Sequence, residues 1–293
     1  LQEGIVKYES KGEVQGTLLN QFSLDEYQKN LRVATTMYLY SQQGQYMYNN
    51  VYVLNEDLEV IGALEEVAPD ERIYSTRFMG DRLYMVTFKQ VDPLFVIDLT
   101  DPEAPKVLGQ LKIPGFSNYL HPYDENHILG LGQDTVEEQG RTMTGGLKIA
   151  LFDVSDVANP VERAKLIIGG RGTSSEAFYD HKAFLFDSDR KLVIFPVSEM
   201  KDISWEHVWQ GAYILRVKPD IGFIVVGRIT HGTYDPNKPY DTYSTQVRRA
   251  LYINDILYTL SPKKIKMNDL DDLQIEHKTI TLPYKEEVYG PVY

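Results

Sequence analysis

One stretch of this chain repeats itself in register. Leu94-Phe95-Val96-Ile97-Asp98-Leu99-Thr100-Asp101-Pro102 is followed, at an offset of 55 residues, by Ile149-Ala150-Leu151-Phe152-Asp153-Val154-Ser155-Asp156-Val157. The same offset carries Pro105 onto Pro160 and Gly115 onto Gly170. Apolar and turn-forming residues coincide over the whole span, so the repeating object is a structural unit and not an isolated motif. A shorter pattern, apolar–x–Gly–x–apolar, extends the repeat along the chain. It reads Val60-Ile61-Gly62-Ala63-Leu64, Val107-Leu108-Gly109-Gln110-Leu111 and Val225-Val226-Gly227-Arg228-Ile229. Glu162–Leu166 has Ala164 at the glycine position, Ser10–Val14 is a looser copy around Gly12, and Ile275–Thr279 falls where a sixth copy belongs. Successive copies lie 47 to 63 residues apart. Periods of roughly 40–50 residues, lengthened by loops, are those of propeller blades.

Each unit reads as four short strands. In the clearest, Tyr74–Met79 and Arg82–Phe88 flank Gly80-Asp81, and Leu94–Leu99 and Lys106–Ile113 flank a proline-bounded turn. Asp180-His181 and Asn254-Asp255 occupy the position of Gly80-Asp81, where a tight hairpin turn is expected. No window shows a sustained helical period; Leu24–Leu31 comes nearest and reads equally well as an edge with a longer turn. The expectation is an all-β chain forming a single β-propeller domain over residues 1–293. It would have about five four-stranded blades near 20–67, 72–114, 118–169, 174–231 and 245–283. Residues 5–14 are left over as an orphan N-terminal strand. They are either an extra edge strand or the last strand of a blade whose first three strands lie elsewhere in a larger ring.

Composition narrows the partners. Lys and Arg total 30 against 42 Asp and Glu, a formal charge of −12, which disfavours a phosphate backbone or an anionic membrane surface. The absence of cysteine excludes disulfides, thiolate nucleophiles and Cys-based metal sites. No apolar run reaches the roughly 18–20 residues of a membrane span. No cofactor is expected. Asp269, Asp271 and Asp272 suggest calcium but lack the glycine and distal Glu of a calcium loop. His121 and His127, with Asp124 between them, read as a turn. Gly169–Ser174 is glycine-rich but leads into a strand, whereas a phosphate cradle opens a helix.

Several segments resemble the secreted and cell-surface β-propeller domain family of archaea and Gram-positive bacteria. They are Gln21–Tyr27, Leu31–Thr36, Glu71–Asp81, Val91–Asp98, Tyr119–Pro122, Gly169–Gly172 and Ser175–Phe184. The resemblance implies an extracellular or cell-surface protein, with further propeller sequence usual upstream. It brings no assigned reaction and no catalytic residues.

Loop lengths indicate where a site would lie. In a blade, the second-to-third-strand loops share one face with the connections between blades. That face is expected to hold the insertions: Tyr38–Asn50, Gln133–Gly146, Glu199–Gly211 and His231–Tyr243. Tyr46, Trp205, Trp209 and Tyr234 lie among them, and such rings either make contacts with a partner or pack the loops onto the blades. Just before the innermost strands lie Arg77, His121, Glu176 and Arg248. These either hold a small ligand or form a hydrated structural network. The leading expectation is a non-catalytic extracellular scaffold that binds protein or polysaccharide, or assembles with its own copies or upstream blades, through the long-loop face and the open strand edge. The alternative is a glycan-acting hydrolase or lyase using Arg77, His121, Glu176 and Arg248.

Overall fold

The computed structural model describes residues 8–41, 44–88, 92–138, 140–201, 206–232 and 243–284. They form five four-stranded antiparallel sheets, each built from strands consecutive in the chain. The first contains β1 (Leu24–Tyr27), β2 (Asn30–Ser41), β3 (Gly44–Leu54) and β4 (Val60–Val67); the second contains β5 (Arg72–Met79), β6 (Arg82–Phe88), β7 (Asp92–Asp98) and β8 (Lys106–Ile113). The third is β9 (Phe116–Pro122), β10 (His127–Glu138), β11 (Arg141–Asp153) and β12 (Val161–Ile168). The fourth is β13 (Leu185–Asp187), β14 (Leu192–Met200), β15 (His207–Lys218) and β16 (Gly222–Ile229). The fifth is β17 (Arg249–Ile253), β18 (Ile256–Leu260), β19 (Lys264–Asp269) and β20 (Glu276–Thr281). There is no α-helix among the described residues. The chain divides into two compact units, residues 1–130 with 152–162, and residues 131–151 with 163–293.

Within the first unit, one face of the first sheet packs on the second sheet: Ala34, Val51 and Val53 meet Leu83, Met85, Phe95 and Ile97, all buried. Within the second unit, Leu192, Ile194, Ala212 and Ile214 of the fourth sheet meet Val247, Ala250, Leu257 and Leu270 of the fifth region. Middle strands are buried on both faces and therefore read as continuous apolar runs, whereas outer strands such as β12 alternate.

The repeated glycine has a specific task. A Cβ at Gly62 would overlap the Pro102 carbonyl oxygen, and one at Gly109 would overlap that of Val157. One at Gly227 would sit 2.6 Å from the Leu273 side chain. Each glycine lies on the fourth strand of one sheet and receives the third-to-fourth-strand turn of the next. Ala164 takes this place on β12, with Gly222 as its close neighbour. The residue before the glycine is a bulge in all three glycine copies. The pairing steps from Val53↔Gly62 to Leu54↔Val60, from Val96↔Gly109 to Ile97↔Val107, and from Ile214↔Gly227 to Leu215↔Val225. The extra residue twists the outer strand locally. In β20 the bulge falls at His277, so the sixth copy runs one residue later than the sequence register gave.

The turns that dock on these glycines are set by aspartates. The Asp98 carboxylate accepts from the Thr100 amide (3.1 Å) and hydroxyl (2.6 Å), and Asp153 does the same with Ser155 (3.0 and 2.6 Å). Asp269 accepts from the amides of Asp271 (2.8 Å) and Asp272 (3.1 Å), so its carboxylate already closes a turn. In the β1–β2 hairpin, Gln28 and Lys29 both have positive φ (50° and 69°), which makes Leu24–Leu31 a two-residue hairpin and not a helix.

Two expectations change. In the fourth sheet the first strand is Leu185–Asp187, not the segment before Asp180-His181. Asp180 caps a 3₁₀ turn through the Lys182 amide (3.0 Å) and pairs with Arg249, while Asp187 closes the actual hairpin by accepting from the Asp189 and Arg190 amides. Secondly, residues 8–14 form no ladder with another strand among the described residues; residues 5–7 lie outside the described residues.

Gly109→Val is expected to lower stability by about 1–3 kcal/mol, since a side chain there must push a backbone carbonyl aside. Gly145→Ala, whose Cβ would meet Asp134 at an ordinary 3.5 Å, should stay within about 1 kcal/mol of the parent. Urea unfolding of both variants checks the contrast.

Candidate functional site

Three second-to-third-strand hairpins outgrow their sheets. The β2–β3 pairing continues through Met37↔Tyr48, Leu39↔Tyr46 and Tyr40↔Gln45 to Ser41↔Gly44. The flanking strands stop earlier, β1 at Val33 and β4 at Asn49. Beyond that point the hairpin is a two-stranded ribbon. Of the expected loop over Tyr38–Asn50, residues 38–41 and 44–50 are thus regular strand, and the same holds for most of Gln133–Gly146 and for most of the described part of Glu199–Gly211. Tyrosine alternation suits a ribbon as well as a loop. On the first ribbon Tyr40 is 79% exposed, Leu39 40% and Tyr46 39%. Tyr46 leans on Tyr48 with centroids 5.6 Å apart. The second ribbon exposes Val136 and Met143, and the third exposes Val208.

The second ribbon is braced from its side. Arg171 donates from Nε to the Thr144 carbonyl and from Nη2 to Glu138 Oε2, each at 3.1 Å. At the base of the third, Trp209 stands edge-on to Tyr213 (5.2 Å) and carries the Arg228 guanidinium over its ring (4.8 Å). The Tyr213 hydroxyl donates to Glu199 Oε2 at 2.9 Å, and Arg228 reaches the same oxygen at 3.3 Å. The Trp209 ring also lies against Gly211, where a Cβ would come within 2.6 Å of it. Burial, then the Glu199 hydrogen bond and charge, push the Tyr213 phenol above its ordinary pKa, against the opposing pull of Arg228. Sequence reading singled out Trp209 but missed Tyr213, Arg228 and Glu199; their alternate spacing on paired strands was the available signal. Trp205 and Tyr234 lie outside the described residues.

The inner-strand candidates fall into two groups. In the first unit, Arg77 on β5 is held between rings, with its guanidinium carbon 3.9 Å from the Phe22 centroid and 5.2 Å from that of Tyr119. Its Nε donates to the Leu120 carbonyl at 2.8 Å. Aromatic faces stabilise a cation removed from water, and here they join the 3₁₀ turn Gln21–Ser23 ahead of β1 to strands β5 and β9. Phe22 escaped sequence reading because nothing local marks it as a partner. His121 lies beside them, its Nδ1 3.0 Å from the Tyr119 hydroxyl. Burial, reinforced by the Arg77 charge, lowers the His121 pKa to about 4. In the second unit, Glu176 opens the 3₁₀ turn Glu176–Phe178 with its carboxylate exposed. Arg248 lies over the Tyr243 ring at 4.5 Å. His127 bonds to Asp124 at 2.8 Å within a turn.

A further histidine, His231, is buried between the Ser261 and Thr259 hydroxyls at 2.9 and 2.8 Å. Burial, with Lys266 and Lys264 adding to it, lowers its pKa to about 4. Among the described residues no group of acidic or histidine side chains is arranged to hold a metal, and no helix is long and apolar enough to cross a membrane.

A sequence model of the family described as Beta propeller domain matches residues 1–273. The chain belongs to the β-propeller domain family. An uncharacterized protein of Methanocaldococcus jannaschii is 40% identical over 281 residues, covering 95% of this chain and 39% of that protein. One from Archaeoglobus fulgidus is 39% identical over 261 residues, covering 89% and 35%. The propeller chain therefore spans well under half the length of these curated relatives. Among solved structures it is similar to the C-terminal WD40 domain of Sif2, at 10% identity and a TM-score of 0.42, covering 88% of this chain and 68% of that one. It is also similar to Kluyveromyces lactis Hsv2, at 13% identity and a TM-score of 0.41, covering 84% and 62%. Likeness at this level carries no functional argument.

The two low-titrating histidines give the propeller a defined acid response. Unfolded histidine titrates near 6.5, while His121 and His231 titrate at about 4 when folded. The unfolded chain therefore takes up protons first as the pH falls, and stability declines between roughly pH 6.5 and 4. His231→Gln removes one of these groups and should recover about 1–3 kcal/mol of that decline, as read from urea midpoints at pH 7 and pH 4.5.

Proposed function

We propose that the chain is an extracellular binding and assembly scaffold with no reaction of its own, contacting protein or polysaccharide through the ends of its long hairpins and assembling through the edge of its first sheet. One observation carries the reading. Each of the three ribbons that outgrow their sheets holds large apolar side chains in water, led by Tyr40 at 79% exposure. Extending a hairpin beyond its sheet gives up the burial that flanking strands provide, so apolar side chains retained there favour contact with something else. Tyrosine suits both candidate partners, because its ring buries area at low entropic cost and its hydroxyl bonds to protein or sugar.

Catalysis by the inner residues has less support. Arginine stays protonated at neutral pH, and an imidazole titrating at about 4 is a weak base there. The exported setting rests on the family resemblance.

The test is retention of the purified chain on immobilised cell-wall polysaccharide and on surface-protein extracts of its source cells. Retention on one of these is expected, and Tyr40→Ser with Tyr46→Ser should weaken it at least about tenfold while leaving the urea midpoint in place. Retention on neither, or equal retention of the double variant, would discard the proposal.

A further inference from the structure

Residues 10–14 hold the place of a fourth strand. A Cβ at Gly12 would overlap the Leu58 carbonyl oxygen, in the turn between β3 and β4. That is the contact Gly62 makes with the β7–β8 turn and Gly109 with the β11–β12 turn, while Gly227 meets the β19–β20 turn through the Leu273 side chain. Those three glycines belong to complete sheets. Gly12 docks on the first sheet in the same manner, yet among the described residues no strand pairs with 10–14. The missing ladder explains why the segment is not itself a strand.

The surface beside it fits the same reading. Val33, Tyr52 and Leu54 point to the opposite side of the first sheet from the residues facing the second. Val14 packs on them. Gln15 accepts from the Thr35 hydroxyl at 2.7 Å, and Thr17 bridges Thr36. Alongside runs a groove of about 270 Å³ lined by Val14, Leu18, Leu24, Leu31, Leu54 and Leu58. Leu18 and Leu24 are 42% and 40% exposed.

We propose that this groove and the free edge of residues 10–14 seat the three inner strands of a further blade of the same repeat, supplied by polypeptide outside these 293 residues. This deepens the assembly half of the function proposed above and is independent of the hairpin ends. A second copy of the chain is a poor occupant, because each of its five sheets already has its four strands. The curated relatives, of which the chain spans 39% and 35%, carry ample sequence beyond the matched part.

Hydrogen exchange tests this by comparing the protein isolated from its source cells with the recombinant 293-residue chain. Amides of residues 11–14 should exchange at least about tenfold more slowly in the former. Gly12→Val in the source organism should remove that protection, while Tyr40→Ser with Tyr46→Ser leaves it intact. Equal exchange in the two preparations overturns the proposal, as does protection that survives Gly12→Val. Protection that appears in the recombinant chain alone as its concentration rises also overturns it, because a second copy would then be the occupant.

Discussion

The architecture depends on a contact in which a side chain is absent. At Gly62 and Gly109 the backbone of an outer strand lies open, and the carbonyl of the following sheet's turn settles against it. A methyl group would block the approach, so the sheets keep their spacing only while that position stays bare or, as at Ala164, nearly so. Two local devices make the contact reproducible. The bulge before each glycine orients the strand, and the aspartate of each turn fixes the loop that meets it. The apolar faces then supply the bulk of the stabilisation, at a geometry already set by backbone.

Such a scaffold can carry projecting elements. A hairpin whose lower half is clamped between two flanking strands extends its upper half as a ribbon without losing register, because each pairing is fixed by the pairing below it. Bracing differs between ribbons. Arg171 holds one from the side, and the Trp209–Tyr213–Arg228 cluster anchors another at its base. The described part of the first ribbon instead leaves Tyr40 in water. The Arg77 wedge between Phe22 and Tyr119 works at the opposite end of the scale, using rings and one carbonyl to hold a cation within the sheets.

The repeat was legible because its devices are local. Glycine at the docking position, aspartate in the turn and apolar runs in middle strands all leave marks within a few residues. The second sheet was therefore read nearly strand for strand. The fourth sheet was misread where two aspartates competed: Asp180 and Asp187 both suit a turn, and only the structure shows the first one capping a 3₁₀ segment through the Lys182 amide. The ribbons were read as loops because their tyrosine-rich, polar composition belongs to either. At the inner strands, Arg77 and His121 could be picked out by position, but Phe22 could not, since a ring in a 3₁₀ turn packing on a guanidinium of a distant strand has no sequence spacing. Gly12 was visible as a weak copy of the motif, while the turn it meets, around Leu58, was not.

The docking contact also bears on how such a chain grows and diverges. Since at Gly62 and Gly109 one sheet meets the next by a bare backbone and a carbonyl, neither partner reads the other's side chains there. A duplicated segment of this length can join the existing series without co-adapting its surface. The outward-facing positions are then free to drift toward new chemistry, while a single hydrogen-for-side-chain position preserves the joint.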